Sequence, residues 1–203
     1  MTTLAIIGAS GHGKVVADMA QQLGWEKIVF FDDAWPDVKN VMHWKVIGNS
    51  DSILIDEYEH FFVAIGNNKV RKKKIELLKG KEKKLPNLIH PSAFVSTYSK
   101  IGLGVLITEN VVIKISSIIG DGVVINSNSV VGHDCVISDF SHITPNCAIA
   151  GNVFIGDLSW VGNGSSIRQN INIGRNVIVG TGAVVVKDIP ADTTVVGNPA
   201  KPI

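Results

Sequence analysis

A histidine followed directly by an aspartate, His133 and Asp134 in the stretch VVGHDCV, has the clearest capacity for chemistry in this chain. A histidine titrates near neutral pH and can accept a proton from an attacking nucleophile, as a general base does. An adjacent carboxylate can fix the tautomer of the imidazole ring and raise its basicity. The pair therefore indicates proton transfer at this point, with His133 as the base and Asp134 as its partner.

A repeat of six residues surrounds this pair and must position it. A β-branched residue stands at every sixth position in seventeen consecutive places, without an insertion. The series is Ile89, Val95, Ile101, Ile107, Ile113, Ile119, Ile125, Val131, Ile137, Ile143, Ile149, Ile155, Val161, Ile167, Ile173, Val179 and Val185. A period of six is neither the helical 3.6 nor the strand alternation of 2, so this self-similarity predicts a solenoid of short strands with a continuous aliphatic core.

The part of the chain ahead of this repeat follows another pattern, in which short apolar runs alternate with helical segments. LAIIG, KIVFFDD and FFVAIG are typical of strands, whereas KVVADMAQQLG and NKVRKKKIELLKG are typical of helices. This order predicts a Rossmann-like α/β unit of βαβ type in residues 1–85 and the solenoid in residues 86–203. The basic run KVRKKKIELLKGKEKK is interpreted as the solvated face of a surface helix.

A glycine-rich turn, GASGHGK at residues 8–14, lies between the first predicted strand and the first predicted helix. Glycines let the backbone approach a ligand, and a helix N-terminus favours anions. The turn nearly matches the GxxxxGK loop of nucleoside triphosphatases, but Val15 stands where a magnesium-binding Ser or Thr is needed. It also departs from the dinucleotide order GxGxxG. A single nucleotide or a nucleoside diphosphate is therefore the expected ligand.

Composition and charge exclude several classes of partner. A formal net charge of +1 gives no reason to expect nucleic acid or an anionic membrane. No apolar run is long enough to span a bilayer and the N-terminus lacks the basic leader of a signal peptide, so a cytoplasmic protein is expected. Cys135 and Cys147 lack metal-binding spacing and are interpreted as small buried residues; no metal is expected.

Hexads such as IGLGVL, IGDGVV, VGHDCV and IGRNVI resemble those of the hexapeptide-repeat acyltransferases, and the C-terminal VVVKDIPADTTVVGNPAKPI is similar to their closing segment. With GASGHG, FFDD and AIGNNKVRKK ahead of the repeats, the chain resembles the branch that acetylates nucleotide sugars, above all UDP-4-amino-4,6-dideoxy sugars for glycan biosynthesis. The resemblance implies a left-handed parallel β-helix with three hexads per coil. It also implies a homotrimer with active sites between subunits and acetyl-CoA as co-substrate.

Three hexads per coil place equivalent positions of successive coils above one another. His133 and Asp134 take the third and fourth places of their hexad, which form a corner, where side chains point outward and can carry charge without the cost of burial. Gly151 lies in the column of His133, and its missing side chain leaves room for the ring. Asn163 and Thr181 share a column on a different corner, above Pro145.

The resemblance also assigns roles to residues at matching positions. His133 is the expected base and Asp134 its partner; relatives often carry the longer glutamate there, so contact with the ring is left open. The residues expected to hold the nucleotide sugar are Ser10, Gly11, His12, Asp32, Asp33, Gly66 and Asn67. Those expected to contact acetyl-CoA are His142, on the outward side of a flat face, Gly151, Asn163 and Thr181. His43, His60 and His90 are interpreted as structural.

The expected reaction is transfer of an acetyl group from acetyl-CoA to the 4-amino group of the UDP-sugar. Three alternatives stay open: O-acetylation of the sialic-acid type, N-acetylation of GDP-perosamine, and a non-catalytic nucleotide-sugar-binding protein. Amine and hydroxyl acceptors need the same base and the same thioester cleft, so the sequence does not separate them. It also leaves open which nucleotide carries the sugar.

Overall fold

The structure, a computed structural model, describes residues 3–203, except for the side chains of residues 53 and 54. The chain divides into two compact units, Met1–Leu88 and Ile89–Ile203. Neither of the two α-helices within the described residues has the length and apolar character needed to cross a membrane.

A five-stranded sheet and two α-helices form the first unit. Its elements are β1 Thr3–Ile7, α1 Gly11–Gln22, β2 Lys27–Phe31, β3 Asn40–Val41, β4 Trp44–Gly48, a 3-10 helix Ile53–Glu57, β5 His60–Val63 and α2 Asn68–Gly80. The strand order is β3-β4-β2-β1-β5, in which β1, β2, β4 and β5 are parallel and β3 is an antiparallel edge. Residues Leu4 to Ile7 of β1 are all apolar and buried, as expected for a parallel strand that is covered on both faces.

Very short strands make up the rest of the chain. They are β6 Leu88–Ile89, β7 Phe94–Val95, β8 Lys100–Ile101, β9 Leu106–Ile107, β10 Val112–Ile113, β11 Ile118–Ile119, β12 Val124–Ile125, β13 Val130–Val131, β14 Val136–Ile137, β15 His142–Ile143, β16 Ala148–Ile149, β17 Phe154–Ile155, β18 Trp160–Val161, β19 Ser166–Ile167, β20 Asn172–Ile173, β21 Ile178–Val179, β22 Val184–Val185, β23 Thr194–Val196 and β24 Lys201–Pro202. Each of the seventeen predicted β-branched positions is the second residue of a strand from β6 to β22.

Strands three hexads apart in the chain pair in parallel and build the three faces of a solenoid. Val131, for example, pairs with Ile113 on one side and Ile149 on the other. The three sheets run in the orders β22-β19-β16-β13-β10-β7, β20-β17-β14-β11-β8 and β24-β23-β21-β18-β15-β12-β9-β6. The predicted parallel solenoid with three hexads per coil is confirmed; its left-handed sense remains a prediction from the resemblance.

Small residues at the second and fifth positions of many hexads let the coils stack. A Cβ added at Gly132, a second position, would lie 2.6 Å from the backbone of Ala150 one coil further on, so this hexad has no room for a side chain there. At the fifth position, Ser117 donates a hydrogen bond from its hydroxyl to the carbonyl of Gly132, 2.7 Å away. Equivalent bonds are made by Ser129, Ser141, Ser159 and Ser165. The buried hydroxyls are thereby satisfied.

Cys135 and Cys147 occupy this same fifth position. Their sulfur atoms lie 3.1 Å from the carbonyl of Ala150 and 3.3 Å from that of Gly162. Burial raises the pKa of both thiols. They replace the serines of other hexads, which agrees with their interpretation as small buried residues.

The fourth position of the hexad commonly turns the chain through a left-handed conformation. Asp134 has a φ of 58°, and asparagine holds the same conformation at Asn110, Asn128, Asn146, Asn152, Asn170 and Asn176. Asn and Asp tolerate positive φ better than other side-chain-bearing residues. The repeat therefore accepts an aspartate at the corner at little backbone cost.

Candidate active site

His133 and Asp134 form a hydrogen-bonded pair at the corner between β13 and β14. The Nδ1 atom of His133 lies 2.6 Å from Oδ2 of Asp134, and their side chains are 61% and 56% exposed. Because a carboxylate only accepts hydrogen bonds, this contact favours the neutral tautomer with the hydrogen on Nδ1 and the lone pair on Nε2. The shorter aspartate thus reaches the ring, and the nitrogen that can accept a proton is Nε2.

Gly151 lies directly beneath this imidazole. A Cβ added at Gly151 would come within 2.5 Å of Nε2 and 2.6 Å of Cε1 of His133. The carbonyl of His133 accepts a hydrogen bond from Asn152 at 2.8 Å, and the amide of Asp134 donates one to Ile115 at 3.1 Å. Neighbouring coils therefore hold the backbone of the pair on both sides, and the absent side chain at Gly151 leaves the ring its place.

His142 is buried, with 5% of its surface exposed, although its strand position faces outward from the sheet. Its Nε2 atom lies 2.8 Å from Nδ2 of Asn126, and its ring centre lies 4.2 Å from that of Trp160. Trp160 pairs with it from the next coil, so the side chain at this outward-facing position is covered rather than open. A role of His142 toward acetyl-CoA stays a prediction.

Asn163 and Thr181 lie on successive coils at another corner, as predicted. The carbonyl of Asn163 accepts a hydrogen bond from Gly182 at 2.8 Å, and that of Pro145 accepts one from Gly164 at 3.0 Å. Both Asn163 and Thr181 are exposed. Within this unit, the structure brings together His133, Asp134 and Gly151, and it places His142 and the Asn163 column elsewhere.

A cavity of about 250 Å³ opens in the first unit where the parallel strands end. We call it the crevice. Its lining includes Gly8 after β1, Asp32 and Asp33 after β2, and Gly66 after β5, together with Ser10 and Ser50. Strands β2 and β5 flank β1 on opposite sides, and such a switch point is where open α/β sheets bind ligands. Of the seven predicted nucleotide-sugar residues, Ser10, Asp32, Asp33 and Gly66 line the crevice.

The two aspartates of the crevice are fixed by different partners. Asp32 accepts hydrogen bonds from the amides of Ala9 at 2.6 Å and Ala34 at 2.9 Å, so it ties the glycine turn to the end of β2. Asp33 accepts through Oδ1 from both the hydroxyl and the amide of Ser50, the latter at 3.0 Å. These bonds hold the pKa of Asp33 below its usual value. The structure therefore presents an ionised acceptor, and the buried Ser50 is a site residue that sequence reasoning missed.

Within the glycine turn, the glycines differ in what they do. A Cβ at Gly8, whose φ is 107°, would lie 2.6 Å from the carbonyl oxygen of Ala64, and one at Gly13 would lie 2.1 Å from that of Gly8. A Cβ added at Gly11 would meet nothing within 4 Å among the described residues. Burial, assisted by the charge of Arg71, lowers the pKa of His12 to about 4. His12 is therefore neutral at physiological pH and cannot offer a positive charge to a phosphate.

The structure corrects one interpretation of helix α2 and adds to another. The side chain of Asn67 caps the helix by accepting from the amides of Lys69 and Val70, both at 3.1 Å, and its contact with the nucleotide sugar stays a prediction. Arg71 and Lys74 are buried, and Lys74 pairs with Asp51 at 2.9 Å. They share the inner face of α2 with Ile75 and Leu78, at the three- and four-residue spacing of a helix face. The solvated-face interpretation is wrong for these two residues.

Comparison with known proteins places the chain in a family. The family described as PglD N-terminal domain matches residues 3–78. The acetyltransferase domain of PglB from Neisseria gonorrhoeae FA1090 is 42% identical, has a TM-score of 0.95 and is covered over 100% of both chains. The chain belongs to the hexapeptide-repeat acetyltransferases of the PglB and PglD type. The same Neisseria domain has also been solved in complex with acetyl coenzyme A.

Other members of this acetyltransferase family differ in the ligands they are described with. PerB from Caulobacter crescentus, in complex with CoA and GDP-perosamine, is 34% identical with a TM-score of 0.94, over 100% of this chain and 98% of PerB. UDP-N-acetylbacillosamine N-acetyltransferase from Bacillus subtilis (strain 168) is 34% identical over 113 residues. That match spans 53% of this chain and 51% of the relative, about half of its length.

Among residues 3–203, no cluster of three or more histidines, cysteines, aspartates or glutamates has a geometry that could hold a metal ion. The candidate chemistry therefore rests on the His133 pair and on the polar groups of the crevice.

Proposed function

We propose that this acetyltransferase moves the acetyl group of acetyl-CoA to the 4-amino group of a UDP-4-amino-4,6-dideoxy sugar, a glycan precursor. The observation that carries the proposal is the His133–Asp134 pair, oriented by a 2.6 Å hydrogen bond and seated over Gly151. Full-length similarity to a domain solved with acetyl coenzyme A supports the donor. We also propose a cytoplasmic location, in keeping with the expectation from the sequence.

In the proposed reaction, His133 acts directly on the acceptor. Its Nε2 takes the proton from the amine as the nitrogen attacks the thioester carbonyl, a carbon–nitrogen bond forms and the carbon–sulfur bond breaks. The proton then passes from His133 to the departing thiolate of CoA, so no bond forms between enzyme and acetyl group. Asp134 stabilises the imidazolium in between. General-base catalysis of this kind contributes roughly 10² to 10⁴ in rate.

The crevice supports a uridine nucleotide. Ser50 donates both of its hydrogen bonds to Oδ1 of Asp33, which leaves Oδ2 to receive a ligand. Uracil presents a single imide N–H, whereas guanine presents adjacent N–H groups that suit both oxygens of a carboxylate. One accepting oxygen therefore favours UDP, while similarity to PerB, described with GDP-perosamine, favours a GDP-linked amino sugar as the second candidate. The first unit would bind the nucleotide sugar in either case.

We also propose a homotrimer with active sites between subunits. The sheet that runs from β7 to β22 faces outward with small and apolar side chains: Phe94, Val112, Val130, Ala148, Ser166 and Val184. Phe94 is 61% exposed, and a depression of about 540 Å³ crosses this face. Exposed apolar surface of this kind marks an association site. Since β13 of this sheet leads into His133, association here would put the base at a subunit edge.

The test is release of CoA thiol from acetyl-CoA with three acceptors: the UDP-4-amino-4,6-dideoxy sugar, GDP-perosamine and a hydroxyl-bearing sialic acid. We expect turnover with the UDP-sugar that falls by roughly 10² or more in His133→Ala. Turnover confined to GDP-perosamine would move the substrate to the second candidate, and turnover confined to sialic acid would make the enzyme an O-acetyltransferase. If the His133→Ala protein keeps the wild-type rate, His133 is not the base. Light scattering on the same samples tests the trimer.

A further inference from the structure

A buried arginine stands behind the crevice and is not used by the reaction proposed above. Arg71 lies in α2 with 1% of its surface exposed. Its Nη1 donates hydrogen bonds to the carbonyl oxygens of Ile65 at 3.0 Å and Gly66 at 3.1 Å, and its Nη2 donates to Oδ1 of Asn68 at 2.9 Å. One planar guanidinium therefore fixes two consecutive peptide groups and the start of the helix.

Those two peptide groups form part of the crevice wall. Ile65 and Gly66 follow β5 and line the cavity beside Ser10 and Asp32. A Cβ added at Gly66 would meet nothing within 4 Å among the described residues. The carbonyls of Ile65 and Gly66 both accept from the same guanidinium, so Arg71 helps to set the path of the backbone there.

The charge of Arg71 also acts on the glycine turn. Burial lowers the pKa of Arg71 to about 10, so the guanidinium stays positive at neutral pH. Its charge is the second cause, after burial, of the low pKa of His12 in the first turn of α1. The first turn of α1 is also where backbone N–H groups favour an anion. A positive charge that reaches this turn adds to the attraction for phosphate.

We propose that Arg71 is a positioning residue for the diphosphate of the nucleotide sugar. It holds the carbonyls of Ile65 and Gly66 in the shape that the ligand meets, and it places a buried positive charge behind the crevice. The inference rests on the proposed function in one respect, namely that the crevice binds a nucleoside diphosphate. It predicts an effect on nucleotide binding and none on the acetyl-transfer step.

The test compares Arg71→Gln, which keeps a hydrogen-bond donor without charge, with Arg71→Lys, which keeps charge without the planar fork. Calorimetric titration with UDP, GDP and uridine measures binding. We expect UDP affinity to fall by about tenfold or more in Arg71→Gln, with a smaller loss in Arg71→Lys. Uridine, which lacks phosphates, should lose less than UDP. In Arg71→Gln the pKa of His12, followed by NMR, should rise.

A matched control separates this role from loss of stability. Leu78→Ala removes a fully buried side chain from the same helix and should lower the melting temperature while leaving the side chain of Arg71 in place. We expect it to leave UDP affinity unchanged. In the acetylation assay, the Arg71 variants should raise KM for the nucleotide sugar and leave kcat and KM for acetyl-CoA unchanged.

Three results would overturn the inference. The first is wild-type UDP affinity in a folded Arg71→Gln protein, and the second is an equal loss of affinity in Leu78→Ala. The third is an effect on kcat with KM unchanged. If the wild-type protein binds neither UDP nor GDP, the nucleotide half of the proposed function fails together with this inference; binding by the wild type that is indifferent to Arg71 removes only the inference.

Discussion

In the solenoid, the residues expected to do chemistry lie at an exposed corner, whereas in the first unit the residues around the crevice are tied into one another. His133 and Asp134 are each more than half exposed, and the stack of coils beneath them holds their backbone. Around the crevice, Asp33 binds the buried Ser50, and Arg71 binds the loop after β5. A repeat can carry a polar pair outside its core, while an α/β unit has to satisfy each polar group it draws inward.

The largest effect is expected at the corner of the solenoid, where the position of the His133 ring depends on the absent side chain at Gly151. Gly151→Ala adds a methyl group within 2.5 Å of Nε2 of His133, so the ring must move. We expect kcat to fall by about 10² because general-base catalysis depends on placement, with little change in melting temperature. Gln169→Ala, at the next residue of the same column, is the control and should keep the wild-type rate. An active Gly151→Ala protein would mean that the base works from another position.

In the first unit, the equivalent test removes a partner of a charged group. Asp33 has a lowered pKa chiefly through the hydroxyl of Ser50, so it stays ionised until the pH falls below the usual carboxyl range. Ser50→Ala raises that pKa. We expect nucleotide affinity to drop a few-fold at pH 7 and its loss on acidification to begin at higher pH, measured by titration with UDP from pH 7 to pH 4. Asp33→Asn is the control, because it shows the UDP affinity without a charge at this position. If Ser50→Ala has the same UDP affinity as the wild type at every pH, the Ser50–Asp33 hydrogen bond does not affect nucleotide binding.

The buried histidine of the first unit gives a smaller effect, on stability. His12 has a pKa of about 4 when folded against an ordinary value of 6.5, so between these pH values the unfolded chain binds the extra proton. Stability therefore falls as pH drops from 6.5 to 4, by about 3 kcal/mol from this group alone. The free energy of unfolding, measured with denaturant at several pH values across this range, should depend less steeply on pH in His12→Gln than in the wild type.

The smallest effect is expected inside the repeat. Cys147→Ser places a hydroxyl where five other hexads already carry one, bonded to a carbonyl of the next coil. The free energy of unfolding should stay within about 0.5 kcal/mol of wild type in urea denaturation. Cys147→Val, which cannot donate a hydrogen bond, should be less stable than Cys147→Ser. Equal stability would deny the hydroxyl ladder any energetic role.

These differences explain how far the sequence could be interpreted. The period of six identified every strand from β6 to β22, because one β-branched residue per hexad packs against its copies in the neighbouring coils. It also placed His133 over Gly151. The burial of His142 escaped prediction, since it depends on Trp160 from the next coil and Asn126 from the coil before, which the period alone does not reveal.

In the α/β unit, the strand ends identified the crevice but not its internal bonds. Asp32 and Asp33 follow an apolar run and were predictable as polar groups at the edge of a parallel sheet. Ser50, Arg71 and Lys74 were not, because a serine in a loop and a lysine-rich helix are usually solvated. Only the helical spacing of Arg71, Lys74 and Leu78 could have indicated a buried face.

The left-handed corner at Asp134 would allow the His133–Asp134 pair to be moved to other hexads. Many hexads turn through the same backbone conformation, so the pair needs only a histidine and an aspartate at adjacent corner positions, with a glycine in the same column one coil later. Moving these three residues by one coil would shift the reacting centre about 4.8 Å along the solenoid axis, which is the spacing between neighbouring strands. The regular spacing of the coils would therefore allow an engineer to move an acyl-transfer site along the solenoid axis in fixed steps while leaving the core unchanged.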